Sequence, residues 1–202
     1  MKTAVPAPGS AGARDAARAG RAMGAMVLFP FGGVWIGVYA WRMTAGNPFV
    51  MGAVVLAALA LGVFAWRRYR RHRPALAAIG PTSRQKRAMR IFHIVNAGQW
   101  IAIFVAINIL VRVGLPSWEI PCVIAIVGLH FLPLAHVFNY RAHYLAGAAL
   151  VALAMLYPLL APHGPADPVG CLGAGLILWA SAFLAVTVAG DRGRANDVPQ
   201  AA

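Results

Sequence analysis

The sequence predicts an all-α fold, a polytopic membrane protein built as a bundle of six transmembrane helices. Of its 202 residues, 60% are apolar and only 11% are charged, whereas average soluble domains carry about 25% charged residues. The apolar residues form long blocks, near the ~20 residues that a helix needs to cross a bilayer core. The basic residues, which give a net charge of +13, lie between those blocks. Together these observations exclude a soluble globular domain.

The predicted spans are residues 22–41, 49–66, 91–111, 119–140, 144–160 and 169–189. The first contains Pro30, Gly32 and Gly33, which predict a kink or local unwinding. Residues 139–141 leave little chain between the fourth and fifth spans, so these two should form an antiparallel hairpin.

The two ends of the chain differ from the membrane domain of residues 22–189. Residues 1–21 are rich in Ala, Gly, Pro and Arg, which predicts a disordered basic tail. Whether this end is cleaved as a targeting peptide stays open. Residues 190–202 are predicted to be a polar tail.

The segment 67–90 contains nine of the eighteen Lys and Arg residues and is predicted to be a loop. Gly80-Pro81-Thr82 should break any helix there, and Ser83 should cap the next one. Anionic lipid headgroups would contact the first arginines of this loop. The candidate lipid-binding or phosphate-binding residues are Arg67, Arg68, Arg70, Arg71 and Arg73.

The distribution of basic residues also predicts the orientation. If both termini face the cytoplasm, sixteen of the eighteen Lys and Arg residues are inside and only Arg42 and Arg112 are outside, as the positive-inside rule requires. We therefore expect a bacterial inner-membrane protein with cytoplasmic termini. Because the charge lies between spans, membrane lipids are the expected partners and nucleic acid is not. A second copy of the chain or another membrane protein stays open as a partner.

Polar side chains within the spans concentrate in the third and fourth. The candidate residues of a ligand or proton site are His93, Asn96, Gln99, Glu119, His130, His136 and Asn139. His93 shares one helical face with Asn96, and His136 shares one with Asn139. Both pairs lie near the predicted cytoplasmic side, so these four residues form the preferred cluster. His143 would join only if the fourth helix continued.

Two other interpretations of these polar residues stay open. They can form hydrogen bonds that hold the helices together, or two histidines on facing helices can ligate a haem. Glu119 fits a helix N-terminus, with Arg112 as an ion-pair partner. Cys122 and Cys171 can pair or remain thiols.

Several patterns that would indicate an enzyme or a cofactor are missing from the sequence. It has no Cys/His spacing typical of a metal site and no nucleotide-binding or hydrolase motif. We therefore predict no metal and no cofactor, and we favour a protein that is not an enzyme.

Two weaker patterns concern helix packing. Gly170, Gly173 and Gly175 should let another helix approach the sixth span closely. Pro30 lies in the first span of the first three-span half, and Pro133 lies in the first span of the second half. Interrupted helices at matching positions indicate an inverted repeat.

The segment Gly128-Leu129-His130-Phe131-Leu132-Pro133-Leu134-Ala135, with Tyr140 and Tyr144 after it, resembles small bacterial multi-pass membrane proteins that carry a Gly-x-His-x-Leu-Pro signature. The resemblance covers the third to fifth spans. It implies a multi-pass fold and a membrane location, and it implies no activity.

Three functions are compatible with the sequence. The preferred one is an integral membrane protein that binds or passes a small solute or a proton between the third and fourth spans. The second is a membrane enzyme or haem-type redox subunit that uses the histidines. The third is a structural or regulatory protein that docks anionic lipid or a partner through its basic loop.

Overall fold

A computed structural model describes residues 11–79, 83–138 and 140–187. The helices are α1 (Ala11–Thr44), α2 (Pro48–Ile79), α3 (Ser83–Arg112), α4 (Glu119–Phe138), α5 (Arg141–Leu160) and α6 (Val169–Thr187), with short 3-10 turns at Pro116–Trp118 and Gly164–Ala166. No strand occurs in these described ranges. All six helices are long and apolar enough to span a membrane. The predicted all-α, six-helix membrane fold is confirmed.

Two predicted irregular segments are helical, which corrects the sequence analysis. Residues 11–21 of the predicted disordered tail form the first turns of α1. Residues 67–79 of the predicted loop continue α2 to Ile79. Residues 1–10, 80–82, 139 and 188–202 lie outside the described residues, so the remaining parts of both predicted tails and the Gly80-Pro81-Thr82 break stay predictions.

The two extensions are helical because they pack against each other. Ala16 and Ala19 are buried, and such small side chains let two helices approach closely. Asp15 lies 2.8 Å from the Arg18 guanidinium and 3.2 Å from His72 Nδ1 on α2. Composition alone does not reveal this contact, because it forms between segments that are far apart in the sequence.

The helices pack in the order α2–α1–α6–α5–α4–α3. We call the end where α1 starts and α2 ends the basic end, and the opposite end the far end. The outermost helices, α2 and α3, expose large apolar side chains such as Phe49 and Phe104. Such surfaces are stable against lipid, where apolar exposure carries no cost.

Glycines lie at two close helix crossings. A Cβ added to Gly32 on α1 would lie 3.0 Å from the Gly175 oxygen on α6, and one added to Gly175 would lie 2.8 Å from the Gly32 oxygen. Gly128 on α4 and Gly147 on α5 are related in the same way, at 2.9 and 2.7 Å. Each crossing therefore brings two backbones into direct contact.

Atoms of neighbouring helices lie close to all three glycines of α6, as the sequence predicts. Gly170 accommodates the Tyr157 ring, and Gly173 accommodates Leu153. The helix α1 is continuous through Pro30. Beside that proline, Trp179 on α6 donates its indole N–H to the Phe29 carbonyl at 2.8 Å, which joins α1 to α6 by a hydrogen bond at their crossing.

The pairing of the helices can be compared between the two halves of the predicted inverted repeat. In each half the first helix, α1 or α4, packs on the next helix in the chain and on the third helix of the other half. The halves differ elsewhere, since α5 packs on α6 whereas α2 and α3 do not pack along each other over the described residues. The inverted repeat stays a prediction.

The connection from α5 to α6 at the far end is tied by side chains. Tyr157 donates its hydroxyl to the Pro165 carbonyl at 3.1 Å. Asp167 accepts a hydrogen bond from the Val169 N–H at 2.9 Å and lies 3.1 Å from His163 Nδ1. The backbone N–H of Val169 and, after it, the contacts with His163 hold the pKa of the Asp167 carboxyl below its usual range.

This lowered pKa gives a stability prediction. A carboxylate with a depressed pKa in the folded state stabilises the fold above its unfolded pKa of about 3.9. That contribution disappears as the pH falls through the folded pKa. We expect the melting temperature of the wild type to exceed that of Asp167→Asn at pH 7 and at pH 5, and the margin to shrink below about pH 4. A margin that stays constant down to pH 3 would contradict the assignment.

Candidate functional site

The predicted site residues on α3 face different environments. His93 is exposed, Asn96 is half-buried and Gln99 is buried. Gln99 lies one turn after Val95, whose carbonyl faces α4. The inward-facing polar residue of the predicted set on α3 is therefore Gln99 rather than His93.

The predicted site residues on α4 also lie in different environments. His136 is exposed, and Asn139 lies outside the described residues. Glu119 is the first residue of α4, and no ion pair joins it to Arg112 in the described part of the chain. The rings of Phe92 and Phe138 are 6.2 Å apart, so the start of α3 does lie beside the end of α4. However, His93 and His136 both point away from the protein interior, and the preferred four-residue cluster stays a prediction.

His130 is the predicted histidine that α4 directs inward. It lies eight residues from the end of α4, a depth of about 12 Å along the helix. Its Nδ1 atom is buried and has no hydrogen-bond partner in the described ranges. The His130 ring also faces the backbone carbonyl of Val95 on α3. In the tautomer that carries its proton on Nε2, Nδ1 is a bare acceptor inside the protein.

A second inward-facing histidine, His143, lies at the start of α5. Its Nδ1 atom is also buried, with no partner in the part of the chain that the structure describes. Its ring centroid lies 5.4 Å from that of Phe131 and 4.9 Å from that of Tyr140. Phe131 also contacts the His130 ring, at 6.2 Å. The two imidazoles therefore flank one phenyl ring and interact electrostatically.

A series of side-chain contacts connects the basic end of the bundle to this pair. The Arg21 guanidinium of α1 lies 6.0 Å from the centre of the Tyr140 ring, and Tyr140 contacts His143. Beyond His130, the interior between α4, α5 and α6 is an apolar core that includes Ile124, Leu150 and Leu178. The histidine pair is therefore nearer to the basic end and is separated from the far end by tightly packed apolar side chains.

The predicted lipid-binding arginines lie on the extension of α2. Arg67, Arg70, Arg71 and Arg73 are exposed and Arg68 is half-buried. The Arg70 guanidinium lies 5.0 Å from the centre of the Trp66 ring. The helix thus carries these charges outward from the end of the apolar span.

Two other predicted features can be located. Cys122 and Cys171 are free thiols. Within residues 11–79, 83–138 and 140–187, no group of three or more His, Cys, Asp or Glu side chains could hold a metal ion.

No family model matches the chain, and no curated protein or solved structure matches it. The function is therefore argued from the site itself.

Sequence reasoning identified His130 and Gln99 but placed His143 outside the site. The reason is local: His143 was considered only as a continuation of the fourth helix beyond His136, whereas the chain starts a new helix at Arg141. Because α4 and α5 form a tight hairpin, His143 folds back beside His130. The short connection was the available signal, since it places the first turn of α5 against the last turns of α4.

Proposed function

We propose that the protein lies in a bacterial inner membrane, with both termini and its basic end in the cytoplasm, and carries protons through a site formed by His130 and His143. The orientation is supported by the basic residues, which concentrate at one end. The resemblance in the segment 128–135 supports the bacterial location.

The observation that carries the proposal is the pair of buried, unpaired Nδ1 atoms. A buried polar group without a partner costs about 1–3 kcal/mol, and unsatisfied groups are rare in native structures. Ionisable side chains inside a membrane most often mark ion or proton pathways. The Nδ1 lone pair of a neutral imidazole can accept a proton.

The surroundings favour a proton over a larger solute. Rings of Phe131 and Tyr140 pack directly on His143, so the space beside its nitrogen atoms is small. The apolar core beyond His130 closes the path to the far end. In this conformation the path toward the far end is therefore closed, and a carrier must rearrange to release the proton on that side.

Proton uptake by reconstituted vesicles tests the proposal. Purified protein is placed in liposomes that contain a pH-sensitive dye, and a potassium diffusion potential is imposed with valinomycin. We expect internal acidification faster than in protein-free liposomes. Equal rates with and without protein, at verified insertion, would contradict the proposal.

A further inference from the structure

A long apolar groove lies between α1 and α2, away from the histidine pair. Its volume is about 790 Å³, and it extends from Met26 and Trp66 near the basic end to Trp41 and Arg42 at the far end. Met26 and Arg42 are sixteen residues apart on α1, which corresponds to about 24 Å of the ~30 Å hydrocarbon core. The groove thus follows the membrane normal over most of the bilayer.

Small residues create this groove. At Gly33 the two helices touch, since an added Cβ would lie 2.8 Å from the Ala58 Cβ. One turn later, at Gly37, the closest atom to an added Cβ is the flexible Met51 Cε at 3.8 Å. The space above the contact point is therefore left open and is lined by apolar side chains such as Val38 and Val55.

An arginine at the far end of the groove has no carboxylate partner among the described residues. Arg42 lines the groove and is exposed. No carboxylate lies within ion-pair distance of it among the described residues, where the ion pairs involve Asp15 and Asp167. A guanidinium at a membrane interface is suited to bind a phosphate through two parallel hydrogen bonds. An apolar channel that ends in such a cation matches a lipid with an anionic head and a long acyl chain.

The geometry points to a binding site for an anionic phospholipid, whose phosphate pairs with Arg42 and one of whose acyl chains lies between α1 and α2. This site does not depend on the proposed proton pathway. The orientation of the protein decides only which leaflet supplies the lipid, and cytoplasmic termini place it in the outer leaflet.

Native mass spectrometry with added phosphatidylglycerol tests the site. We expect the first bound lipid to dissociate about tenfold more readily from Arg42→Ala than from the wild type, because a hydrogen-bonded ion pair is lost. Arg112→Ala removes the other arginine of the far end and should leave the affinity unchanged. Zwitterionic phosphatidylcholine should bind more weakly than phosphatidylglycerol.

A second pair of variants tests the acyl-chain part of the site. Gly37→Leu places a side chain in the groove and should weaken phosphatidylglycerol binding. Gly52→Leu is the control, because a Cβ at Gly52 meets no atom within 4 Å and Gly52 does not line the groove. Equal affinities for all variants would overturn the proposal. A dimer that dissociates in Gly37→Leu while lipid binding is absent would also overturn it, because the groove would then hold a second copy of the chain.

Discussion

Gly175→Ala is expected to lower the free energy of unfolding by about 1–3 kcal/mol, the usual cost of inserting one group into a closely packed site. The added Cβ would lie 2.5 Å from Ile36 Cγ1, 2.8 Å from the Gly32 oxygen and 3.1 Å from the Ile36 nitrogen. Two of these three atoms belong to the backbone, so a rotamer change cannot relieve the contact. The helices α1 and α6 must move apart, which also strains the hydrogen bond between Trp179 and Phe29.

Unfolding of the detergent-purified protein, followed by circular dichroism, measures this effect. The matched control is Gly98→Ala on α3, where an added Cβ meets no atom within 4 Å. Alanine favours a helix by up to about 1 kcal/mol over glycine, so the control should be as stable as the wild type or more stable. The same chemical change therefore has opposite signs at the two positions. Equal effects at both would show that the crossing at Gly175 is not tightly packed.

His143→Phe and His130→Phe are each expected to reduce proton uptake by roughly 100-fold, the lower end of what a positioned proton-transfer group contributes. Phenylalanine retains an aromatic ring, which can keep the contact of His143 with Tyr140 and Phe131. It removes both ring nitrogens. The loss of uptake would then arise from chemistry rather than from a change in packing.

Stability separates this explanation from misfolding. Because His143→Phe removes a buried nitrogen that has no partner in the described residues, this variant should be at least as stable as the wild type, and more stable by about 1 kcal/mol if packing is retained. His136→Phe is the control, since His136 is exposed on the same helix as His130, and its uptake should be that of the wild type. Unchanged uptake in His143→Phe would remove this residue from the pathway.

Span number could be predicted from the sequence because lipid imposes a simple requirement. A helix that crosses a bilayer needs a long apolar block, and six such blocks are visible by composition. The helical extensions could not be predicted in the same way. Ala16 and Ala19 are buried and Asp15 contacts His72 on the α2 extension, but a composition that is poor in large apolar residues gives no sign of such neighbours.

The sequence predicted only part of the site, and the reason is similar. Periodicity along one helix groups residues on faces, but it does not establish which face points inward. His93 and His136 are exposed, while Gln99 and the His130 Nδ1 atom are buried. The position of His143 depends on the connection between α4 and α5, because a new helix begins after it. Residues of different helices come together through packing, and packing depends on distant glycines such as Gly128 and Gly147.

The most direct test of the account is the sidedness of its two ends. In a Cys122→Ala/Cys171→Ala background, Arg73→Cys and Ala166→Cys place single thiols at exposed positions at opposite ends of the bundle. A membrane-impermeant maleimide applied to intact spheroplasts should label Ala166→Cys at once and Arg73→Cys only after permeabilisation. Labelling of both in intact cells would contradict six spans with a cytoplasmic basic end, and labelling of Arg73→Cys alone would reverse the orientation and the direction of the proposed proton pathway.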